Sequence, residues 1–365
     1  MSIDNNSSAI SAKSYLYAGK EEWWVRHQPF IFSQGYKLRP RYEPSWVPSW
    51  SVPGDKKEQH EDSLRSYGST PALDAIRLST GEKVVLKRVV TNQDELKIVL
   101  LLDSPRLRED PRNRTIPILE VITVPNENWT LLAMPYCRGF HDPPFHCPAE
   151  VVEVSQQYLE GLQFMHDNNI CHFDIAPQNL MMDEKRVVPA GSHFIRPRTH
   201  TGFKGLFCWT DRCLVGPVDY YYIDFGLSMY FPRGRAAART SGGLRTFPTI
   251  PELSDTKPYD PFKVDIYQLG LTIERLIKAY PTLRPFAPVA AAMMDPAPAA
   301  RPAPAESLAQ LKTIAARMGP KRLRRPMWKK NGFVDHITRK LLGGYYPNTP
   351  HLSLLGSAGV SSSLV

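Results

Sequence analysis

A chain of 365 residues with 42% hydrophobic residues is long enough for one large domain or two lobes and apolar enough to bury a core. Its net charge of +9 is concentrated: residues 321–340 hold eight Lys or Arg against one Asp, so the positive charge is local and not a nucleic-acid-binding face spread across a fold. No apolar run approaches the length of a membrane-spanning helix. Five Cys is an odd count behind a polar, Ser/Asn-rich start without a signal peptide, which points to reduced thiols in an intracellular setting, cytoplasmic or nuclear.

In chain order, residues 1–14 read as disordered. Residues 15–66 form an arm, dense in aromatics and proline up to Pro53 (Trp23, Trp24, Tyr36, Tyr42, Trp46 and Trp50 among Pro40, Pro44, Pro48 and Pro53) and charged beyond it. The first part is too apolar for a free linker and is expected as an extended segment packed on the main domain. Ala75–Leu78 and Val84–Val90 flank the turn signal Ser79-Thr80-Gly81-Glu82 and predict a hairpin. A helix follows over about 92–102, with Leu96, Val99 and Leu100 on one face, then strand-like segments at 116–124 and 129–136. Beyond Pro148 the pattern turns helical: Val154, Tyr158, Leu162 and Met165 recur at three- and four-residue spacing, and further helices are expected over 265–279 and 305–318. The chain therefore divides into a strand-rich lobe over 67–138 and a helical lobe over 139–318, with a seam near 137–144. A basic tail follows over 319–365, disordered at its end.

The chemistry concentrates in two loops. Cys171-His172-Phe173-Asp174-Ile175-Ala176-Pro177-Gln178-Asn179-Leu180 sets Asp174 and Asn179 five residues apart, and Asp224 follows the β-like run Tyr220–Ile223 and precedes Phe225-Gly226. A single Asp in such a turn usually caps local backbone; it is the co-occurrence of His172, Asp174, Asn179 and Asp224, in order, that asks for another explanation. Upstream, Val84-Val85-Leu86-Lys87 ends a strand, and Glu95 stands eight residues on. Downstream come Ile250-Pro251-Glu252, Asp265-Ile266-Tyr267-Gln268-Leu269-Gly270, and Arg301-Pro302 after Asp295-Pro296.

These motifs resemble the eukaryotic protein kinase superfamily over about residues 68–315. The resemblance implies an α+β, two-lobed protein-kinase-like fold, and transfer of the γ-phosphoryl of ATP to a protein Ser or Thr hydroxyl. It implies that Lys87, oriented by Glu95, holds phosphates, that Asp174 is the catalytic base, and that Asn179 and Asp224 ligate Mg2+. Met134, at the gatekeeper position, with Tyr136 and Cys137, would lie against the adenine. It also implies a buried Glu252–Arg301 ion pair. ATP and a protein substrate are the expected partners, with no membrane insertion, and nucleic acid is expected nowhere outside the basic tail.

The sequence departs from the family at four places. The segment Arg65–Ala72 holds one Gly and one Pro where a Gly-rich loop would bring backbone amides close to phosphates. Ala176 replaces the catalytic-loop Lys, and Gln178 stands where tyrosine kinases carry a compensating Arg. Losing one cationic donor on the transferring group costs about 100- to 1000-fold by analogy with other single-donor losses. Phe173 replaces the Arg before the catalytic Asp, which argues against activation-loop phosphorylation as the main switch. Finally, 45 positions separate Asn179 from Asp224. They include a basic, aromatic insertion near 185–218 that reads as a partner or substrate platform. Its Cys208, Cys213, His193 and His200 fit no strong zinc spacing. The alternatives are a pseudokinase scaffold, favoured by these gaps, and a small-molecule phosphotransferase, opposed by the Pro251-Glu252 and Arg301 features.

Overall fold

A computed structural model describes residues 21–330 except 52, 53, 55, 67–70, 204–206, 245, 246 and 248. The termini read as disordered, most of the basic tail and the centre of the segment replacing the Gly-rich loop lie outside the described residues. The chain forms two compact units that are not linear in sequence. The first takes residues up to Asn92, Pro117–Tyr136 and Ala190–Phe207; the second takes Gln93–Ile116, Cys137–Pro189 and the remainder from Cys208.

The first unit is built on an antiparallel sheet of order β1-β2-β3-β5-β4, with β1 at Tyr36–Leu38, β2 at Ala72–Arg77, β3 at Lys83–Val90, β4 at Glu120–Thr123 and β5 at Trp129–Pro135. The expected hairpin is β2–β3, in register Ala75 to Val84. The arm is more ordered than an extended segment: Glu21–Ser33 is a helix, α1, with Pro29 inside it, and β1 adds an edge strand against β2. Trp24, Val25, Ile31, Tyr36, Leu38, Tyr42 and Trp46 join Leu73, Ala75, Val84, Leu86, Leu131 and Ala133 in one buried cluster. Each such side chain contributes about 1.5–3 kcal/mol of burial, so the arm is part of this core.

The arm also buries charge, and its buried Glu21, Arg39 and Arg41 are ion-paired. The Glu21 carboxylate accepts from Arg41 Nε at 3.1 Å and from the Tyr42 hydroxyl at 3.0 Å, and Arg39 donates to Asp74 at 3.0 Å and to Glu61 at 3.0 Å. The first half of the insertion docks on this frame. Lys83 Nζ donates to the Ser192 carbonyl at 2.7 Å, the Tyr136 hydroxyl lies 3.0 Å from Ser192 Oγ, and His193 Nε2 lies 3.1 Å from Glu61. Residues 190–203 are therefore held by the sheet and the arm of their own unit.

The second unit is mainly helical. Its long helices are α2 at Asp94–Leu102, α3 at Pro148–Asp167, α4 at Pro261–Ala279 and α5 at Pro304–Leu323. α3 turns Val151, Val154, Tyr158, Leu162 and Met165 inward, the stripe legible in its sequence, and packs against α5. α4 buries Phe262, Ile266, Leu269 and Ile273. It approaches the short helix Ala287–Met293 so closely that a Cβ on Gly270 would stand 2.8 Å from Met293 Cβ; here glycine is needed for contact, not for its dihedral freedom. A three-stranded sheet of order β6-β8-β9 (Cys137–Gly139, Leu180–Asp183, Tyr220–Tyr222) and the pairs β7–β10 (Ile170–Cys171 with Met229–Tyr230) and β11–β12 (Thr240–Gly242 with Ser254–Tyr259) carry the loops described next. No helix among the described residues is long and apolar enough to cross a membrane.

The expected Glu252–Arg301 pair is present. Arg301, fully buried, donates to both Glu252 carboxylate oxygens, one at 2.8 Å, and to the carbonyls of Lys263 and Asp295, and it stacks on Tyr267. Removing one partner strands the other charge. Arg301→Ala is expected to cost about 3 kcal/mol of unfolding free energy, read from urea unfolding, and Arg301→Met with Glu252→Gln is expected to recover part of that loss.

Candidate active site

The loop 172–179 connects β7 to β8 in the second unit, and its backbone is held from below by α4. Asp265, wholly buried, accepts from the amides of His172 at 2.9 Å and Phe173 at 2.7 Å, and also meets His166 Nε2 at 3.0 Å. One turn on, Gln268 accepts from the Ile175 amide at 2.9 Å and donates to the Phe173 carbonyl at 3.0 Å. Four hydrogen bonds thus fix a tight loop in which Phe173 has φ of 65°, a conformation that costs about 1–3 kcal/mol in a non-glycine residue and persists only when over-determined. Sequence reading placed Asp265 in a structural motif but missed Gln268. The available signal was the three-residue spacing, which puts both on one face of α4.

His172 ties this loop to the next. Its Nε2 donates to the Ile223 carbonyl at 3.1 Å, while Nδ1 accepts from the Asp174 amide at 3.3 Å. That pattern requires the neutral ring, and burial pushes its pKa below the ordinary 6.5. The sign follows from linkage. The unfolded chain takes up a proton here below about pH 6.5 and the folded chain does not, so stability is full above that pH and falls as pH drops towards the folded value. The expected slope from this group is at most about 1.4 kcal/mol per pH unit. Thermal unfolding between pH 7.5 and 5.5 should show a larger loss in the wild type than in His172→Asn.

Asp174 and Asn179 are in direct contact. Asn179 Nδ2 donates to the Asp174 carbonyl at 2.9 Å and to Asp174 Oδ2 at 2.8 Å. These two acceptors fix which end of the amide is nitrogen and leave its oxygen for another partner. Asp174 Oδ1 is buried and has no hydrogen-bond partner among the described residues. Burial raises the Asp174 carboxyl above its ordinary range, and His172 and the Asn179 hydrogen bond oppose that rise. The Ile223 amide donates to the Asn179 carbonyl at 3.0 Å, so the two loops are tied one residue before Asp224.

Asp224 is exposed with φ of 66°, and its Oδ1 accepts from the Gly226 amide at 3.4 Å. The Glu95 carboxylate from α2 reaches the same turn: a Cβ on Gly226 would stand 3.5 Å from Glu95 Oε2 and 3.3 Å from Asp224 Oδ1. The second unit therefore brings together Asp174, Asn179, Asp224 and Glu95. Cys137 opens β6 in this unit, its thiol pushed up by burial. Lys87, Met134 and Tyr136 belong to the first unit, Lys87 on β3 opposite Leu132 and Met134 on β5 opposite Val85, all three buried. Ala176 is also buried, in an apolar cluster with Cys171, Phe173, Phe247 and Tyr259.

An unpartnered carboxylate oxygen held beside an amide and close to a second carboxylate suits a loop that orients a hydroxyl and offers oxygen donors to a hard divalent cation. A loop of this kind, carried by a helix-rich unit in a chain that also forms a strand-rich one, is that of the α+β kinase fold. The family model for the protein kinase domain matches residues 72–294, and the chain belongs to the protein kinase superfamily. It is similar to serine/threonine-protein kinase pak-1 of Caenorhabditis elegans, 21% identical over 230 residues, covering 62% of this chain and 34% of that protein. It is also similar to serine/threonine-protein kinase STE20 of Candida glabrata, 22% over 236 residues, covering 63% and 22%. Cyclin-dependent kinase 11 of Dictyostelium discoideum is 26% identical over 162 residues, covering 37% and 45%. The chain spans less than half the length of each of these relatives.

Proposed function

We propose that this protein transfers the γ-phosphoryl of ATP to a Ser or Thr hydroxyl of a protein, with Asp174 as the catalytic base. The observation that carries the proposal is the Asp174 side chain: one oxygen held by Asn179, the other buried and without a hydrogen-bond partner among the described residues. A group placed so accepts a hydroxyl proton without first giving up another hydrogen bond. Burial raises its carboxyl above the ordinary Asp value, which makes it a stronger base than an ordinary Asp.

Asn179, through its amide oxygen, and Asp224 would hold Mg2+ on the nucleotide. The ion would supply positive charge to neutralise what develops on the transferring phosphoryl group. On the resemblance alone, we assign Lys87, with Glu95 to orient it, to the phosphates, and Met134, Tyr136 and Cys137 to the adenine. The serine/threonine preference rests on Gln178, which is not the tyrosine-kinase Arg, and on the similarity to serine/threonine-protein kinases.

The pseudokinase reading keeps a specific observation in its favour: Ala176 is buried among apolar side chains, so that position offers the transferring phosphoryl no cation. The two readings separate by calorimetric titration with ATP and Mg2+ together with mass-spectrometric mapping of any phosphorylated residue. The proposal expects Mg2+-dependent ATP binding that Asp224→Ala weakens, and phosphate on Ser or Thr. Binding without any phosphate incorporation, from folded protein offered broad substrates, would favour the scaffold; phosphate on Tyr alone would refute the acceptor assignment.

A further inference from the structure

The insertion meets the first unit on one particular face of its sheet. Val85 on β3 stands opposite Met134 on β5, and Lys87 opposite Leu132. Side chains opposite one another in a ladder share a face, and every second residue returns to it. Lys83, Val85 and Lys87 therefore share a face with Leu132 and Met134. Tyr136 joins them, since Lys83 Nζ lies 5.0 Å from the centre of its ring. Val84, Leu86, Leu131 and Ala133 point the other way, into the core shared with the arm. The arm thus covers one face, and the other carries the residues assigned to the nucleotide.

Ser192 of the insertion sits at the Tyr136 end of that second face. Its hydroxyl lies 3.0 Å from the Tyr136 hydroxyl, and its carbonyl accepts from Lys83 Nζ at 2.7 Å. Phe194 tilts towards the same ring, the two centroids 6.3 Å apart. The adjoining His193 is a second anchor. Its Nδ1 accepts from the amides of Ile195 at 3.2 Å and Arg196 at 3.3 Å, so Nε2 carries the proton and donates to Glu61 at 3.1 Å. The same Glu61 oxygen accepts from Arg39, which also donates to Asp74 on β2. Asp74 stands opposite Val85, on the nucleotide face. Ser192 and His193 are both buried. Anchored through Lys83 on one side and His193 on the other, Ser192 holds the Tyr136 hydroxyl from a fixed backbone.

We infer that Ser192 is a positioning residue for the base of the nucleotide: through the Tyr136 hydroxyl it fixes the ring against which the adenine lies. The first half of the insertion is then a wall of the nucleotide site within the first unit. This role rests on the assignment of ATP to that face. A tyrosine ring left free samples several rotamers, and a ligand that must order it binds more weakly than one that meets it already ordered. Lys83 contributes twice, by holding the Ser192 carbonyl and by placing its ammonium over the ring. The segment Arg65–Ala72, with its one Gly, lacks the residues that bring backbone amides close to phosphates. The added wall at the base strengthens the hold on the nucleotide at its other end.

The test is calorimetric titration of the full chain with ATP and Mg2+, in wild type, Ser192→Ala, Tyr136→Phe and the double variant. Loss of one neutral hydrogen bond is expected to weaken ATP about 2- to 10-fold in Ser192→Ala, and by a similar factor in Tyr136→Phe. The double variant should lose no more than either single one, because both substitutions remove the same bond. A merely structural role for Ser192 would not vanish once the Tyr136 hydroxyl is gone. Lys83→Met releases the Ser192 carbonyl and serves as the second variant should Ser192→Ala misfold; it too is expected to weaken ATP. Affinity unchanged or tightened in Ser192→Ala and Lys83→Met, or losses that add in the double variant, would overturn the inference and leave the nucleotide assignment standing. No ATP binding by folded wild type would remove that assignment, and this role with it.

Discussion

Replacing Asp174 by Asn is expected to lower phosphoryl transfer by about 100- to 10,000-fold while leaving the protein folded. The substitution is nearly isosteric. Its amide oxygen can take the place of Oδ2 and accept from Asn179, which keeps the loop in register. Its nitrogen then occupies the place of Oδ1, the buried oxygen with no partner among the described residues. A donor therefore faces the incoming hydroxyl where an acceptor is needed, and the general-base contribution disappears. Circular dichroism should match the wild type and the melting temperature should stay close to it, because the amide nitrogen takes the place of a buried polar atom that already lacked a partner among the described residues. Initial rates with ATP and Mg2+ check the kinetic half. A large drop in melting temperature would instead assign Asp174 a structural role.

Asp265→Ala is expected to act in the opposite way, on the scaffold first and the chemistry through it. The side chain accepts two loop amides and meets His166, all fully buried. Removing it strands those donors, each at about 1–3 kcal/mol, for a total loss of about 3–5 kcal/mol in unfolding free energy. The strained Phe173 backbone loses its principal restraint at the same time, so Asp174 is no longer held in place. Equilibrium unfolding in urea reads the stability loss. Asp265→Asn keeps one acceptor and should lose about half as much. Unchanged stability in the alanine variant would mean the loop is held mainly by Gln268 and the surrounding packing.

What could be read from sequence depended on whether the signal was local. The α3 stripe of Val154, Tyr158, Leu162 and Met165 and the β2–β3 hairpin around Gly81 were legible because apolar spacing and turn chemistry are written within a few residues. The Glu252–Arg301 pair was legible only through resemblance, since nothing local joins positions 49 residues apart. The α1 helix was not: Pro29 within it and the prolines that follow read as an extended arm, and tertiary burial of Trp24, Val25 and Ile31 outweighed that local penalty. Gln268, and the meeting of Cys213 with His146, depend on folded geometry alone.

The central claim is that Asp174 of this kinase-family chain catalyses phosphoryl transfer although Ala176 supplies no cation. It is tested most directly by incorporation of labelled phosphate from the γ position of ATP into generic basic and acidic protein substrates, with wild type and Asp174→Asn side by side and Mg2+ present or removed by chelation. The predicted result is incorporation that requires Mg2+ and disappears in Asp174→Asn. Equal incorporation by the two proteins, or none from folded, ATP-binding wild type, would contradict it.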